Sequence, residues 1–83
     1  VNVMAIKPGC RYLLIVQNDP PPNFGHMTWR FIGHFDSLSD CEFAISLEER
    51  TPCQLKQEYV QEDIWTCWMG HDLYIALRIP VEG

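Results

Sequence analysis

The sequence predicts an α+β protein in which a mainly antiparallel sheet of four or five strands carries one principal helix on one face, in the order β-β-α-β-β-β. Three observations predict this class. Short apolar runs of strand length are separated by turns rich in Gly, Pro and Asn. One central segment has helical periodicity and a capping residue at its start, and most connections are those of hairpins. The 83 residues have room for one domain, spanning 1–83.

The first strand is predicted at residues 11–17, a compact aromatic and β-branched run whose unbroken apolar character is typical of a central strand. A loop containing Pro20, Pro21 and Pro22 follows, because proline cannot donate a hydrogen bond to a strand ladder. Residues 27–35 form the second predicted strand. Pairing the two runs gives an antiparallel hairpin with a long connection.

The helix is predicted over residues 37–50. Ser37 is the expected N-cap, with Asp40 three residues later, and Pro52 ends the helix because it disfavours α geometry at Thr51. The predicted core-facing side comprises Leu38, Cys41, Phe43, Ala44, Ile45 and Leu47. The predicted solvent-facing stripe comprises Ser39, Glu42, Ser46, Glu49 and Arg50.

Three more strands are predicted after the helix, at residues 53–60, 64–69 and 73–79. The first is the least distinct, because Thr51 and Pro52 would also suit the start of a second helix. The last carries only one charge, Arg78, so we expect an edge strand open to pairing with another chain. Residues 1–6 could add a further edge.

The negative charge is concentrated in the middle of the chain, since the segment from Asp36 to Asp63 contains eight acidic residues and only two basic ones, within a net charge of −5 for the whole chain. This balance disfavours direct nucleic-acid binding, which needs clustered Lys and Arg. The acidic segment predicts either a solvated face or a docking surface for a basic protein. Glu42 and Glu49 are the candidate contact residues, and reversing both to Lys is expected to leave the fold intact. No apolar run is long enough to cross a membrane.

Four cysteines, at positions 10, 41, 53 and 67, contain no C-x-x-C pair, so neither a zinc knuckle nor a local dithiol motif is predicted. They are either disulfides of an oxidising compartment or buried thiols. We expect Cys41 to be buried, and Cys41–Cys53 is the preferred pairing if a bridge exists. The apolar run at 1–6 is too short for a signal peptide, but the sequence starts at Val, so either a non-standard start codon is read here or a leader has already been removed. Reduced cysteines are favoured over bridged ones, and a cytoplasmic location is favoured over export.

No motif indicates catalysis. The three histidines, His26, His34 and His71, each follow a glycine, but their spacings match no metal signature. A nucleophile turn, a dinucleotide fingerprint and a phosphate loop are all missing from the sequence. The sequence therefore predicts no enzyme, no cofactor and no metal site.

Aromatic residues are dense: three Trp, three Tyr and four Phe supply more ring surface than one helix can cover. Strand alternation places Trp65 and Trp68 on opposite faces of the sheet, so one of them points away from the helix. Trp65, Trp68 and Tyr74 are the candidate residues of an aromatic interaction surface.

These observations favour a non-catalytic protein-interaction module that binds an unidentified protein, or a second copy of itself, through the acidic helix side or the aromatic sheet face. A small regulator or inhibitor of phage or mobile-element origin would fit the size. The alternative is a small-molecule-binding domain with an aromatic-lined pocket between sheet and helix. A small enzyme is the third class. A closed apolar pocket would favour the binding domain, and a flat apolar patch would favour the interaction module.

Overall fold

The computed structural model of the protein describes residues 9–18, 28–58 and 62–81. Within these ranges the elements are β1 (Gly9–Asn18), β2 (Thr28–Phe35), α1 (Leu38–Glu49), β3 (Lys56–Gln57), β4 (Ile64–Met69) and β5 (Asp72–Val81). The predicted order β-β-α-β-β-β and the α+β class are confirmed. The edge strand predicted at residues 1–6 lies outside the described residues, as does the proline loop.

The strands form one antiparallel sheet in the order β2-β1-β5-β4-β3. β1 and β5 lie at its centre and pair over ten positions, from Gly9 opposite Val81 to Asn18 opposite Asp72. The prediction that the last strand is an edge was wrong, because β5 is hydrogen-bonded to β1 on one side and to β4 on the other. Apolar residues of β5 lie on both faces of the sheet, which is typical of a central strand.

The first hairpin contains a β-bulge that changes which side chains of β2 reach the core. The pairing steps from Leu14 opposite Gly33 to Ile15 opposite Phe31, so Ile32 is the extra residue. Ile32 packs against the buried core, whereas Phe31 remains exposed. The bulge therefore supplies one more apolar contact to the helix side of the sheet.

Within the described part of the strand predicted at 53–60, residues 53–58, only Lys56–Gln57 form a strand, which pairs with β4, and residues 59–60 lie outside the described residues. Residues 53–58 contain no second helix, which removes the rival interpretation for that part of the segment. Leu55, just before β3, is buried, and its backbone N–H donates to a side-chain oxygen of Glu42 at 2.8 Å. That bond joins the segment to the helix instead of to a neighbouring strand.

The core lies between the sheet and α1. Alternate residues of β1 and β5 point toward the helix, and pairs such as Leu14 with Ala76 and Val16 with Tyr74 lie side by side on that face. From the helix, Cys41 and Ile45 enter at i, i+4 spacing and are fully buried. The buried hydrophobic residues are Leu14, Val16, Cys41, Ile45, Leu55, Tyr74 and Ala76.

Local signals set both ends of α1. Ser37 has extended geometry and its hydroxyl accepts from the backbone N–H of Asp40 at 3.1 Å, which confirms the predicted N-cap. At the other end Arg50 is left-handed, with φ 58° and ψ 34°. Its N–H and that of Thr51 both donate to the carbonyl of Ser46, which satisfies a helix-end acceptor before Pro52.

The helix is rotated relative to the prediction. Phe43 and Leu47, expected in the core, are each 64% exposed, whereas Glu42 and Glu49 are only half-exposed. The predicted apolar arc was wider than the sheet can cover, and the Cys41 side of it is buried. The two glutamates instead lie where their oxygens accept hydrogen bonds from Leu55 and from the hydroxyl of Tyr74.

Cys41 is fully buried, as predicted, and burial raises the pKa of its thiol to about 11. The preferred pairing with Cys53 is not formed: Cys41, Cys53 and Cys67 are free thiols. Cys53 and Cys67 are half-buried, and both pack against the core.

Candidate functional site

The sheet surface opposite α1 carries no covering element from the described ranges, and we call it the open face. Strand alternation and the register arrange its side chains in three rows that cross β2, β1, β5 and β4 in that order. The rows are Trp29, Gln17, Leu73 and Trp68; then Phe31, Ile15, Ile75 and Thr66; then His34, Leu13, Leu77 and Ile64.

Large rings dominate the two outer strands of these rows. Trp29 is 57% exposed, and Phe31 and Trp68 are each 56% exposed. Phe31 also stacks edge-on against His34, with ring centroids 5.3 Å apart. The Leu and Ile side chains of the two central strands between them are half-buried by their neighbours. The result is a broad apolar surface, of the kind that marks an interaction site on a small protein.

Charges on the open face lie only at its rim in the part of the chain that the structure describes. By strand parity Arg11 lies at one end of β1, opposite Ile79. Lys56 extends the middle row at β3, and the carboxylate of Glu58 accepts from the Thr66 hydroxyl at 3.5 Å. An apolar centre with a rim of both charge signs resembles the cross-section of a protein–protein interface.

The structure separates the three aromatic residues that the sequence placed in one surface. Trp68 lies on the open face, as the alternation predicted. Trp65 lies on the helix side, edge-on to Tyr12 at 5.6 Å, with the Arg78 guanidinium 5.2 Å from its ring. Tyr74 is completely buried. The prediction that Tyr74 contacts a partner was therefore wrong, because no part of its side chain reaches the surface.

Trp29 and Phe31 are the site residues that sequence reasoning missed. Their shared alternation was visible in the sequence, but which face they occupy depends on the register with β1. That register places Trp29 beside Gln17 and Phe31 beside Ile15. The bulge at Ile32 then changes the parity of the following residues, and this local event has no signature in the sequence.

The acidic end of α1 is engaged with the sheet. The hydroxyl of Tyr74 lies 2.9 Å from Glu48 and 2.5 Å from Glu49, and Arg30 donates two hydrogen bonds to Glu48. A hydroxyl has one proton, so it donates to one carboxylate at a time. Desolvation, followed by the hydrogen bonds to Glu49 and Glu48, raises the pKa of Tyr74, so the phenol stays protonated.

These contacts change the expectation for the acidic surface. Reversing Glu42 and Glu49 to Lys was expected to leave the fold intact, but each carboxylate accepts an internal hydrogen bond. Replacing both removes an acceptor for the Leu55 N–H and places an ammonium group beside the hydroxyl of Tyr74. The double reversal therefore tests stability as well as binding, and it cannot isolate a role in partner recognition.

The ion pair between Arg30 and Glu48 predicts a pH dependence of stability. The hydrogen bond from Arg30, opposed by desolvation and aided by Tyr74, lowers the pKa of Glu48 below its usual range. Because the pKa of Glu48 is lower in the folded chain than in the unfolded chain, its ionised form stabilises the fold at pH values above the unfolded-state pKa. This stabilisation is lost as the pH falls through the folded-state pKa. Because the pair is largely exposed, we expect Glu48→Gln to lower the free energy of unfolding by at most about 1 kcal/mol at neutral pH.

Urea denaturation of wild type and Glu48→Gln from neutral pH to pH 3 measures this effect. The two stabilities should converge as the pH falls below the carboxylate range. A constant difference across that range would show that the variant acts through packing and not through the charge. Asp63→Asn, which removes the exposed partner of Arg78, is the matched control for an acidic residue in a surface ion pair.

One cleft of about 290 Å³ lies at the end of the sheet, lined by Val16, Asn18, Thr28, Trp29, Arg30 and Asp72. It is partly open to solvent, and three of its polar side chains already have protein partners, because Asn18 donates to Asp72 and Arg30 donates to Glu48. Ligand pockets bury most of their ligand among convergent polar groups. This cleft does not have that form, and it lies at the sheet end instead of between sheet and helix.

No protein-family model, curated protein or solved structure matches this chain. The described residues contain no group of three or more His, Cys, Asp or Glu side chains placed to hold a metal ion. They also contain no helix of the length and apolar character needed to cross a membrane.

Proposed function

We propose that this protein is a non-catalytic interaction module whose docking surface is the open face. The observation that carries the proposal is the arrangement of Trp29, Phe31 and Trp68, each more than half exposed, around a centre made mainly of Leu and Ile side chains. Leaving such rings in water is unfavourable by roughly 25 cal/mol per Å² of apolar surface. Burying them against a partner recovers that free energy, and aromatic side chains are the residues most enriched in the energetic centres of interfaces.

The acidic helix side supports the proposal less well. Glu42, Glu48 and Glu49 accept hydrogen bonds from the protein itself, so their oxygens are partly occupied. Phe43 and Leu47 are exposed on the helix, but they are two side chains and not a broad surface. The open face combines an apolar area with a charged rim. Its centre is rigid because β1 and β5 are each hydrogen-bonded to a neighbouring strand on both sides.

The test compares two matched double variants. Phe31→Lys/Trp68→Lys adds two charges to the open face at positions that are each 56% exposed, so the fold should remain. Phe43→Lys/Leu47→Lys makes the same chemical change on the helix at positions that are each 64% exposed. Circular dichroism checks that both variants are folded before binding is compared.

Tagged wild type and variants are used to capture binding proteins, including an untagged copy of the chain, at equal expression. We expect wild type and the helix variant to retain the same set, and the open-face variant to lose it. Retention of that set by a folded open-face variant would refute the proposal. Loss by the helix variant alone would move the docking surface to α1.

A further inference from the structure

We infer that the occupant of the open face is a second copy of this chain, so that two sheets pack face to face in a symmetric dimer with the helices outside. This inference rests on the proposed function and names its partner. Two-fold interfaces use the same patch on both copies, which must be complementary to itself. An apolar surface without central charges meets that condition, because no carboxylate or ammonium group at its centre would face its own image.

The size of the open face suits such a dimer. Aromatic side chains present about 150–250 Å² each, so three that are more than half exposed contribute roughly 250–420 Å². The half-buried Leu and Ile side chains bring the patch to the order of 500–800 Å², where a standard interface buries about 800 Å² per partner. The face thus approaches the size of a standard interface and lies at or above the roughly 300–600 Å² of the largest apolar patch on a typical monomer.

The charge distribution favours the same arrangement. With a net charge of −5, two copies repel each other, and the repulsion is strongest where carboxylates meet. The acidic residues Asp40, Glu42, Glu48 and Glu49 belong to α1, on the opposite side of the sheet. Stacking the open faces about 10 Å apart places both helices outside and keeps these carboxylates separated by two sheets.

The experiment is sedimentation equilibrium of the untagged full chain from micromolar to millimolar concentration, with acrylamide quenching of tryptophan fluorescence at each concentration. We expect the mass to rise from 9.7 kDa to twice that value, and quenching to fall in parallel as Trp29 and Trp68 become covered. Phe31→Lys/Trp68→Lys should raise the dimer dissociation constant by roughly 100-fold or more. Phe43→Lys/Leu47→Lys should leave the constant unchanged.

Three results would overturn the inference. A wild-type chain that stays monomeric at millimolar concentration excludes the second copy, and capture that still depends on the open face would then leave the proposed function intact with a different partner. A dimer that survives the single substitution Trp68→Lys indicates pairing through the outer edge of β2, because Trp68 lies on β4, which is separated from β2 by two strands of the described sheet. A dimer lost only in the helix variant places the interface on α1.

Discussion

Leu14→Ala should lower the free energy of unfolding by about 2–5 kcal/mol, the largest effect that we expect from a single truncation. Leu14 is fully buried on β1, next to Ala76 of β5, so truncation leaves a cavity that two long paired strands cannot close. A chain of this size has a total stability of about 4–12 kcal/mol. The variant is therefore expected to lose a large fraction of its stability.

Urea denaturation at one fixed chain concentration measures the loss, because self-association would make stability depend on concentration. The midpoint should fall while the slope of free energy against urea stays constant. Leu47→Ala is the matched control, since the same truncation at a position that is 64% exposed should change stability by less than about 0.5 kcal/mol. Equal losses in both variants would contradict the orientation of α1 described above.

Tyr74→Phe should lower the free energy of unfolding by about 1.5–3 kcal/mol, the range for a hydrogen bond to a charged group. The ring stays in place, but the hydroxyl that lies between Glu48 and Glu49 is removed from a fully buried side chain. The two carboxylates then lose a shared donor near the end of α1, where the helix dipole already disfavours negative charge.

The pH dependence distinguishes this loss from a packing defect. The difference between wild type and Tyr74→Phe should shrink as the pH falls through the carboxylate range, because a neutral acceptor forms a weaker hydrogen bond. Tyr12→Phe is the control: its ring lies edge-on to Trp65 and half-buried, and we expect a change of less than about 0.5 kcal/mol. A Tyr74→Phe variant as stable as wild type at neutral pH would show that the hydroxyl contributes nothing to the fold.

The elements themselves were largely predictable, because their signals are local. Ser37 caps the helix through a hydrogen bond to Asp40, three residues away, and Pro52 follows a helix that ends at Glu49. Two of the apolar runs became β1 and β5, the long central strands. The segment after Pro52 was the exception, since a two-residue strand held by one helix carboxylate has no periodicity for a sequence to display.

The candidate site was predictable only in part. Alternation correctly set Trp68 opposite Trp65, and the excess of aromatic residues indicated that one face would be left uncovered. Tyr74 was misplaced because its parity relative to Trp68 depends on the turn at Gly70, which has φ 64° and determines the β4–β5 register. Trp29 and Phe31 required the register of the first hairpin.

The sequence by itself determined the α+β class, the order of the elements, the position and N-cap of the helix, and the burial of Cys41. Each of these depends on residues within a few positions of one another, where spacing translates directly into geometry. Only the tertiary structure decided that β5 is central, that α1 turns Phe43 and Leu47 outward, and that Glu49 binds Tyr74 instead of facing solvent. These outcomes depend on which distant segments pair, and a strand shifted by one residue would exchange its two faces.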